Sequence, residues 1–418
     1  MILSQPLLTL DNLATDIPGE GHSLRALGPL VPVWLPEGVA SWATADRDIA
    51  DIVFNHPSLC KGPEHWRALQ EDRVPRDWNL LGFILQRSAL NAHTCDQYRD
   101  KNHARLRGPI TKTFTRRRVQ ELRPRVTQKT SELLDVLGNV PPGTVTDLRA
   151  TFAFDLPMST ICDLIGLSDQ PTRERLAADF DALHDTRQMA RAQAAHAGIQ
   201  DVIGALIALK RQEGGNDLTT ALINTHDEDH EKLTFEELVA TLELVLFAGF
   251  ETTQNLISNA TLNLLRHPDQ LALVRSGVAS WSQVGEETLR RDGSAHTVMF
   301  RYAIEDLYIP EAGVTIRKGD PVLVFLAGVG RDPSAFGPTH DAFDLTRPDA
   351  DRHRAFGHGM HFCVGAPLAR MIASIALGGL FGRFDLMCPQ LDSLVPVPSY
   401  SSNSVQELPI IATALTAV

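Results

Sequence analysis

Apolar residues recur three or four positions apart over Val119 to Leu137, Thr172 to Asp185, Met189 to Gln212 and Thr234 to Arg266. That spacing lines one face of an α-helix. Short runs suited to strands are few: Val31 to Trp34, Val298 to Ala303, Val314 to Ile316, Pro321 to Leu326 and a piece near Ile410. The pattern predicts a mainly α chain with small β-sheets. The helix with the clearest bounds opens at Thr234, where Glu237 stands three residues after a Thr cap, and it runs until His267-Pro268 stops it. At the α-helical rise it is roughly 48 Å long, enough to cross a whole domain. Its middle, Ala248-Gly249-Phe250-Glu251-Thr252-Thr253, puts a glycine, an acid and two β-branched hydroxyls where a core helix favours Leu and Ala. Exceptions of this kind mark functional positions.

Composition narrows the class. With 418 residues, 43% of them hydrophobic, the chain can bury a large core. No linker-like Gly/Ser run, charge block or internal repeat divides it, so residues 1–418 are expected to form one domain. Met1 to Glu20 lacks the basic start and apolar stretch of a signal peptide. The longest apolar runs, Leu244 to Phe250 and Ile372 to Phe381, fall short of the roughly 18 residues that span a bilayer. A soluble protein without membrane association is expected. The five cysteines, Cys60, Cys95, Cys162, Cys363 and Cys388, are scattered, with no CxxC pair, which argues against a disulfide framework or zinc site and favours a reducing cytoplasm. A net charge of -12 argues against general nucleic-acid binding.

The chemistry-bearing segment is Phe356-Gly357-His358-Gly359-Met360-His361-Phe362-Cys363-Val364-Gly365-Ala366-Pro367, followed by an apolar-periodic helix from Leu368 to about Arg383. Pro367 suits a first helical turn, so Cys363 falls just before a helix N-terminus, where the dipole and free N–H groups lower a thiol's pKa. Gly357, Gly359 and Gly365 permit tight turns and close approach of a flat group. A soft metal ligand, a nucleophile and a small buried hydrophobe are all compatible with such a cysteine.

This segment resembles the haem-binding signature of the cytochrome P-450 family, Phe-x-x-Gly-x-x-x-Cys-x-Gly, with every fixed position matched. Ala248-Gly249-Phe250-Glu251-Thr252 resembles the family's oxygen-activation motif. Glu287-Thr288-Leu289-Arg290 resembles its Glu-x-x-Arg, and Phe343-Asp344-Leu345-Thr346-Arg347 the segment that completes a Glu-Arg-Arg cluster. The resemblance covers about Lys101 to the C-terminus and is to soluble actinomycete members. It implies a single large cytochrome P-450 fold with haem b between a long central helix and the Cys loop. Cys363 would be the axial thiolate and dioxygen the co-substrate. Glu251 and Thr252 would deliver protons, and Gly249 would leave room for oxygen. Phe356 and Gly365 would belong to the haem loop; His103, Arg107, Arg301 and His361 would hold the propionates; Glu287, Arg290 and Arg347 would be structural.

No Gly-x-Gly-x-x-Gly fingerprint marks a flavin or nicotinamide module, so a ferredoxin and its reductase are implied as electron donors. Arg105, Lys112, Arg116, Arg117 and Arg118 form a candidate basic patch for an acidic ferredoxin. The resemblance implies a monomer. By the same resemblance, Gln70, Asn79, Phe83, Asp292, His296 and Ser401 fall in segments that line the pocket, a mixture suited to an amphiphilic molecule. The expected activity is oxidation of a C–H bond in a small natural product, as tailoring of a secondary metabolite. The alternatives are oxidative coupling of an aromatic substrate such as a tryptophan-containing diketopiperazine, and a non-catalytic haem-binding helper.

Overall fold

The helix anticipated at Thr234 starts there: the Thr234 hydroxyl accepts from the Glu237 N–H at 3.2 Å and Glu237 accepts from the Thr234 N–H at 2.9 Å. This closes a capping box ahead of Phe235–Arg266. From Phe250 to Leu264 every residue of that helix is buried except Thr252. A helix buried all round sits at the centre of a domain. Asp155–Ile165, Trp281–Asp292 and Ala366–Arg383 pack around it. The computed structural model describes residues 7–76, 78, 81–85, 101–184, 189–228 and 233–415.

Other helices follow the apolar periodicity closely: Arg116–Gly138, Gln170–His184, Met189–Glu213 and Ala366–Arg383, the last with Pro367 in its first turn. His103 and Arg107 share Lys101–Thr113. Strands are short. Six of them make one mixed sheet in the order Leu8–Thr9, Val31–Leu35, Val39–Thr44, Pro321–Val324, Val298–Ala303, Leu59–Cys60. Phe384–Met387, Pro409–Ala414 and Thr146–Asp147 form a second sheet, and Leu307–Ile309 with Val314–Ile316 a third. The architecture is mainly α with small sheets, as the pattern predicts.

One register matters for the site. Leu59–Cys60 runs antiparallel to Val298–Ala303 with Cys60 opposite Tyr302, which carries Lys61, the next residue, alongside Arg301. Among the described residues no helix is long and apolar enough to cross a membrane. Cys60 is disulfide-bonded.

Candidate active site

The Cys loop is shaped by two left-handed glycines, Gly357 (φ 72°) and Gly359 (φ 71°), conformations that side chains resist. A Cβ on Gly359 would also stand 2.2 Å from Asn55 Oδ1. The Cys363 N–H donates to the Phe356 carbonyl at 2.8 Å, closing the loop just before the helix Ala366–Arg383. Gly365 is different: a Cβ there would make ordinary contact, 3.8 Å from Cys363 Sγ, so nothing in the protein itself demands a glycine. The Phe356 ring is held under the Arg370 guanidinium, 4.7 Å away. Cys363 is accessible, yet protein groups crowd it enough that burial pushes its thiol up, against the Gly365 and Ala366 N–H groups and the charges of Arg107 and Arg370. This corrects the expectation that the helix start alone lowers the thiol. Desolvation outweighs the dipole, and a bound cation is what removes the proton from such a thiol.

Two buried ionic networks fasten this loop. Arg290 donates to both Glu287 oxygens at 2.7 Å and to the carbonyls of Gly330, His340 and Ala342 at 2.7 to 2.8 Å. Arg347 Nε lies 3.5 Å from Glu287 Oε1, and Arg347 Nη2 donates to the Thr339 carbonyl at 2.6 Å. The structure thus brings Glu287, Arg290 and Arg347 together. The second network was not anticipated: Arg370 grips Glu286 at 2.6 and 2.8 Å and His353 Nε2 stands 3.2 Å from the same carboxylate. Burial acts to raise the Glu286 carboxyl, but Arg370 and His353 outweigh it and hold it at about 2 against the usual 4.5. A depressed carboxyl contributes stability above its unfolded pKa and loses it as pH falls through the folded one. Glu286→Gln is therefore expected to cost on the order of 3 kcal/mol at pH 7. The gap between variant and parent in denaturant titrations should close as pH falls from about 4.5 to about 2; a pH-independent gap would contradict this.

A cluster of basic side chains lies beside the loop. Arg301 is buried, its guanidinium over the Phe54 ring at 5.8 Å, and burial alone pulls its pKa to about 10. Lys61, also buried, donates to the Met299 carbonyl; desolvation and then Arg301 bring it down to about 7. His361 is pushed down by burial, and further by Arg301, Lys61, His103 and Arg107. Its Nε2 is buried with no hydrogen-bond partner among the described residues. The His103 and His361 ring centroids are 4.3 Å apart. Arg107 donates to the Phe362 carbonyl, and burial lowers its pKa with only Cys363 in opposition. Buried cations are stable only when paired. A group bearing two carboxylates, as haem b does, fits this cluster. Nothing local in the sequence marks Lys61, because a lysine in a polar stretch normally extends into solvent; the strand register buries it.

Ala248 and Thr252 are exposed in the middle of the otherwise buried central helix, so that one face of it is open. The Thr252 hydroxyl donates to the Ala248 carbonyl at 2.8 Å, so its oxygen retains lone pairs to accept with. Glu251 is buried and accepts from the Ser402 hydroxyl. One and two turns on, Asn255 donates to the Ser294 carbonyl at 3.4 Å and Asn259 to the carbonyls of Asp292 and Asn403 at 2.9 and 2.8 Å. These three residues share a face, and they tie the segments 292–294 and 402–403 to the helix. Gly249 does not face the open side: a Cβ there would strike Ile161 Cδ1 at 2.6 Å. Its smallness lets the helix approach Asp155–Ile165, which corrects the expectation that it leaves room for oxygen.

The proposed pocket residues fare unevenly. Asp292 is locked between Arg291 at 2.8 Å and Arg331 at 2.6 Å. His296 is packed against Phe325 with burial holding its pKa at about 4. Neither is presented to a ligand. Gln70 is exposed and donates to the Glu64 carbonyl. Ser401 is half-buried, its carbonyl accepting from the His296 N–H at 2.7 Å; its neighbour Ser402, not Ser401, meets Glu251. Asn79 and the side chain of Phe83 lie outside the described residues. In the basic patch, Arg105 is consumed by Glu237 at 2.6 and 2.7 Å, while Lys112, Arg116 and Arg117 are exposed.

Comparison with known proteins agrees with this geometry. Residues 180–280 and 281–412 match the cytochrome P-450 family. The chain is 36% identical to 2-hydroxy-5-methyl-1-naphthoate 7-hydroxylase of Streptomyces carzinostaticus, over 96% of both chains. It is 35% identical to 6-deoxyerythronolide B hydroxylase of Saccharopolyspora erythraea, over 93% of each. The crystallographically known CYP154A1 of Streptomyces coelicolor A3(2) superposes with a TM-score of 0.87 at 38% identity, covering 97% of this chain and 100% of that one.

Proposed function

The chain belongs to the cytochrome P-450 family, and on that premise we propose that it is a haem-thiolate monooxygenase that hydroxylates a C–H bond of a secondary metabolite. The observation that carries the reading is the pairing of an accessible, loop-held Cys363 with the buried Arg301 and with His361, whose Nε2 has no hydrogen-bond partner among the described residues. The relatives named as hydroxylases support oxygen insertion over coupling, and one of them is named for an aromatic acid, a naphthoate, the other for 6-deoxyerythronolide B. An aromatic or macrocyclic polyketide is the substrate class this reading favours. Residues 1–418 act as one domain, with a large apolar core cluster running from Leu106 to Ile410.

Haem b, when bound, supplies the activation of dioxygen, which a thiolate ligand promotes by donating electron density. Cys363 Sγ would hold its iron, with the Gly365 and Ala366 N–H groups and Arg107 balancing the negative sulfur. Arg107, Arg301 and His361, with His103 and Lys61, would hold the two propionates. Gly365 would allow close approach, and Phe356 would brace the loop. On the central helix, Glu251 accepts from the Ser402 hydroxyl and Thr252 presents Oγ1 on the exposed face, and these two residues would deliver protons. Electrons come from a ferredoxin and its reductase in the cytoplasm, with Lys112, Arg116 and Arg117 offering the exposed positive charge for docking.

The test is to present aromatic and macrocyclic polyketides to the haem-loaded protein with a ferredoxin, its reductase and reductant. Substrates should displace the Soret band and yield products heavier by one oxygen atom. Dimers lacking two hydrogens, or haem binding without any turnover, would overturn the proposal.

A further inference from the structure

Three side chains with metal-binding chemistry converge at the surface. His22 comes from the N-terminal helix Ile17–Leu27, and His340 and Asp341 from the segment after Gly337. His22 Nε2 lies 3.1 Å and His340 Nε2 3.2 Å from the same oxygen, Asp341 Oδ2. All three donor atoms lie within 4.8 Å of one another. Ligands about 2.0 to 2.2 Å from a tetrahedral Zn²⁺ are separated by about 3.3 Å, so two edges of the polyhedron are already close to length. Rotation of His22, half in solvent, closes the third.

The hydrogen bonds around these groups favour a cation between them. His340 Nδ1 stands 3.0 Å from the Gly337 carbonyl. A carbonyl only accepts, so Nδ1 carries the hydrogen and the lone pair of the neutral ring is on Nε2. That lone pair points at a carboxylate oxygen, an arrangement that needs a second proton or a metal. An imidazole whose far nitrogen donates to a backbone carbonyl is the usual arrangement of a metal-ligating histidine. Arg331 takes the other carboxylate oxygen, Oδ1, at 3.0 Å and leaves Oδ2 to the imidazoles. The backbone is fixed as well: the His340 carbonyl accepts from Arg290 and the Asp341 carbonyl from Arg291, each at 2.7 Å.

We propose that His22, His340 and Asp341 form a binding site for a divalent transition-metal ion of the zinc class, completed by water, which clamps the N-terminal helix to the segment that holds Arg290. Borderline-soft imidazole with one carboxylate selects Zn²⁺ over Mg²⁺ or Ca²⁺.

Calorimetric titration of the haem-loaded, chelator-treated protein with Zn²⁺ tests this, alongside His22→Ala and His340→Ala. Wild type should bind one equivalent and gain thermal stability with zinc concentration, as any ligand of the native state confers. Both variants should bind at least about tenfold more weakly, the loss seen even when only an outer partner of a metal is removed. His22 is a partly exposed helix residue, so its loss of zinc is separable from loss of folding. Mg²⁺ should not compete. Absence of stoichiometric zinc binding, or undiminished binding in either variant, would overturn the proposal.

Discussion

Arg290→Ala is expected to yield a chain that folds poorly and retains little haem. Glu287 and Arg290 are both completely buried and bonded at two points. Removing one member leaves an uncompensated charge in the interior, a loss of about 3 to 5 kcal/mol. Three carbonyls, of Gly330, His340 and Ala342, lose their donor at the same time, and the segment they belong to carries Arg347 back to Glu287. Space there is tight: a Cβ on Gly330 would lie 1.8 Å from the Arg290 carbonyl, so the segment cannot collapse inward to compensate. Arg290→Lys keeps the charge but offers no planar fork, and should fall between. Denaturant midpoints and haem per chain measure both variants. An Arg290→Ala protein within about 1 kcal/mol of wild type would contradict a structural role, since exposed ion pairs rarely exceed that value.

Thr252→Ala should separate reductant consumption from product formation. Thr252 is the exposed hydroxyl at the middle of a buried helix, adjacent to Glu251, which is tied to Ser402. The only intrahelical bond its side chain makes is to the Ala248 carbonyl, and losing such a bond costs little stability. Product per reductant should therefore drop on the order of 10²-fold, the low end of what a positioned proton donor contributes. Haem content and denaturant midpoint should hold. Thr252→Ser, which keeps a hydroxyl, should recover most of the product. Unchanged coupling in the alanine variant would remove Thr252 from the proton path.

The sequence already carried the helices, the Thr234 cap and the Cys loop, because periodicity, capping and glycine placement are local properties of the chain. Glu287 with Arg290 was legible for the same reason. What local patterns cannot convey is which side chain a distant segment will meet. Lys61 becomes buried through strand pairing with Val298–Ala303. Glu286 finds Arg370 eighty-four positions away, and Ser402 finds Glu251 from the C-terminal loop. Asp292 and His296 looked available to a ligand, but Arg331 and Phe325 claim them. Gly249 was ascribed to oxygen when Ile161 needs the space. The thiol of Cys363 shows a competition of two effects, the helix start and desolvation, whose balance depends on the surrounding packing and not on spacing along the chain.

The most direct test of the central claim is the visible difference spectrum of the dithionite-reduced protein with and without carbon monoxide. If Cys363 is the axial ligand, wild type shows a strongly red-shifted Soret band and Cys363→His does not. A wild-type band at the position of histidine-ligated haem, or well-folded protein that takes up no haem, would contradict the account.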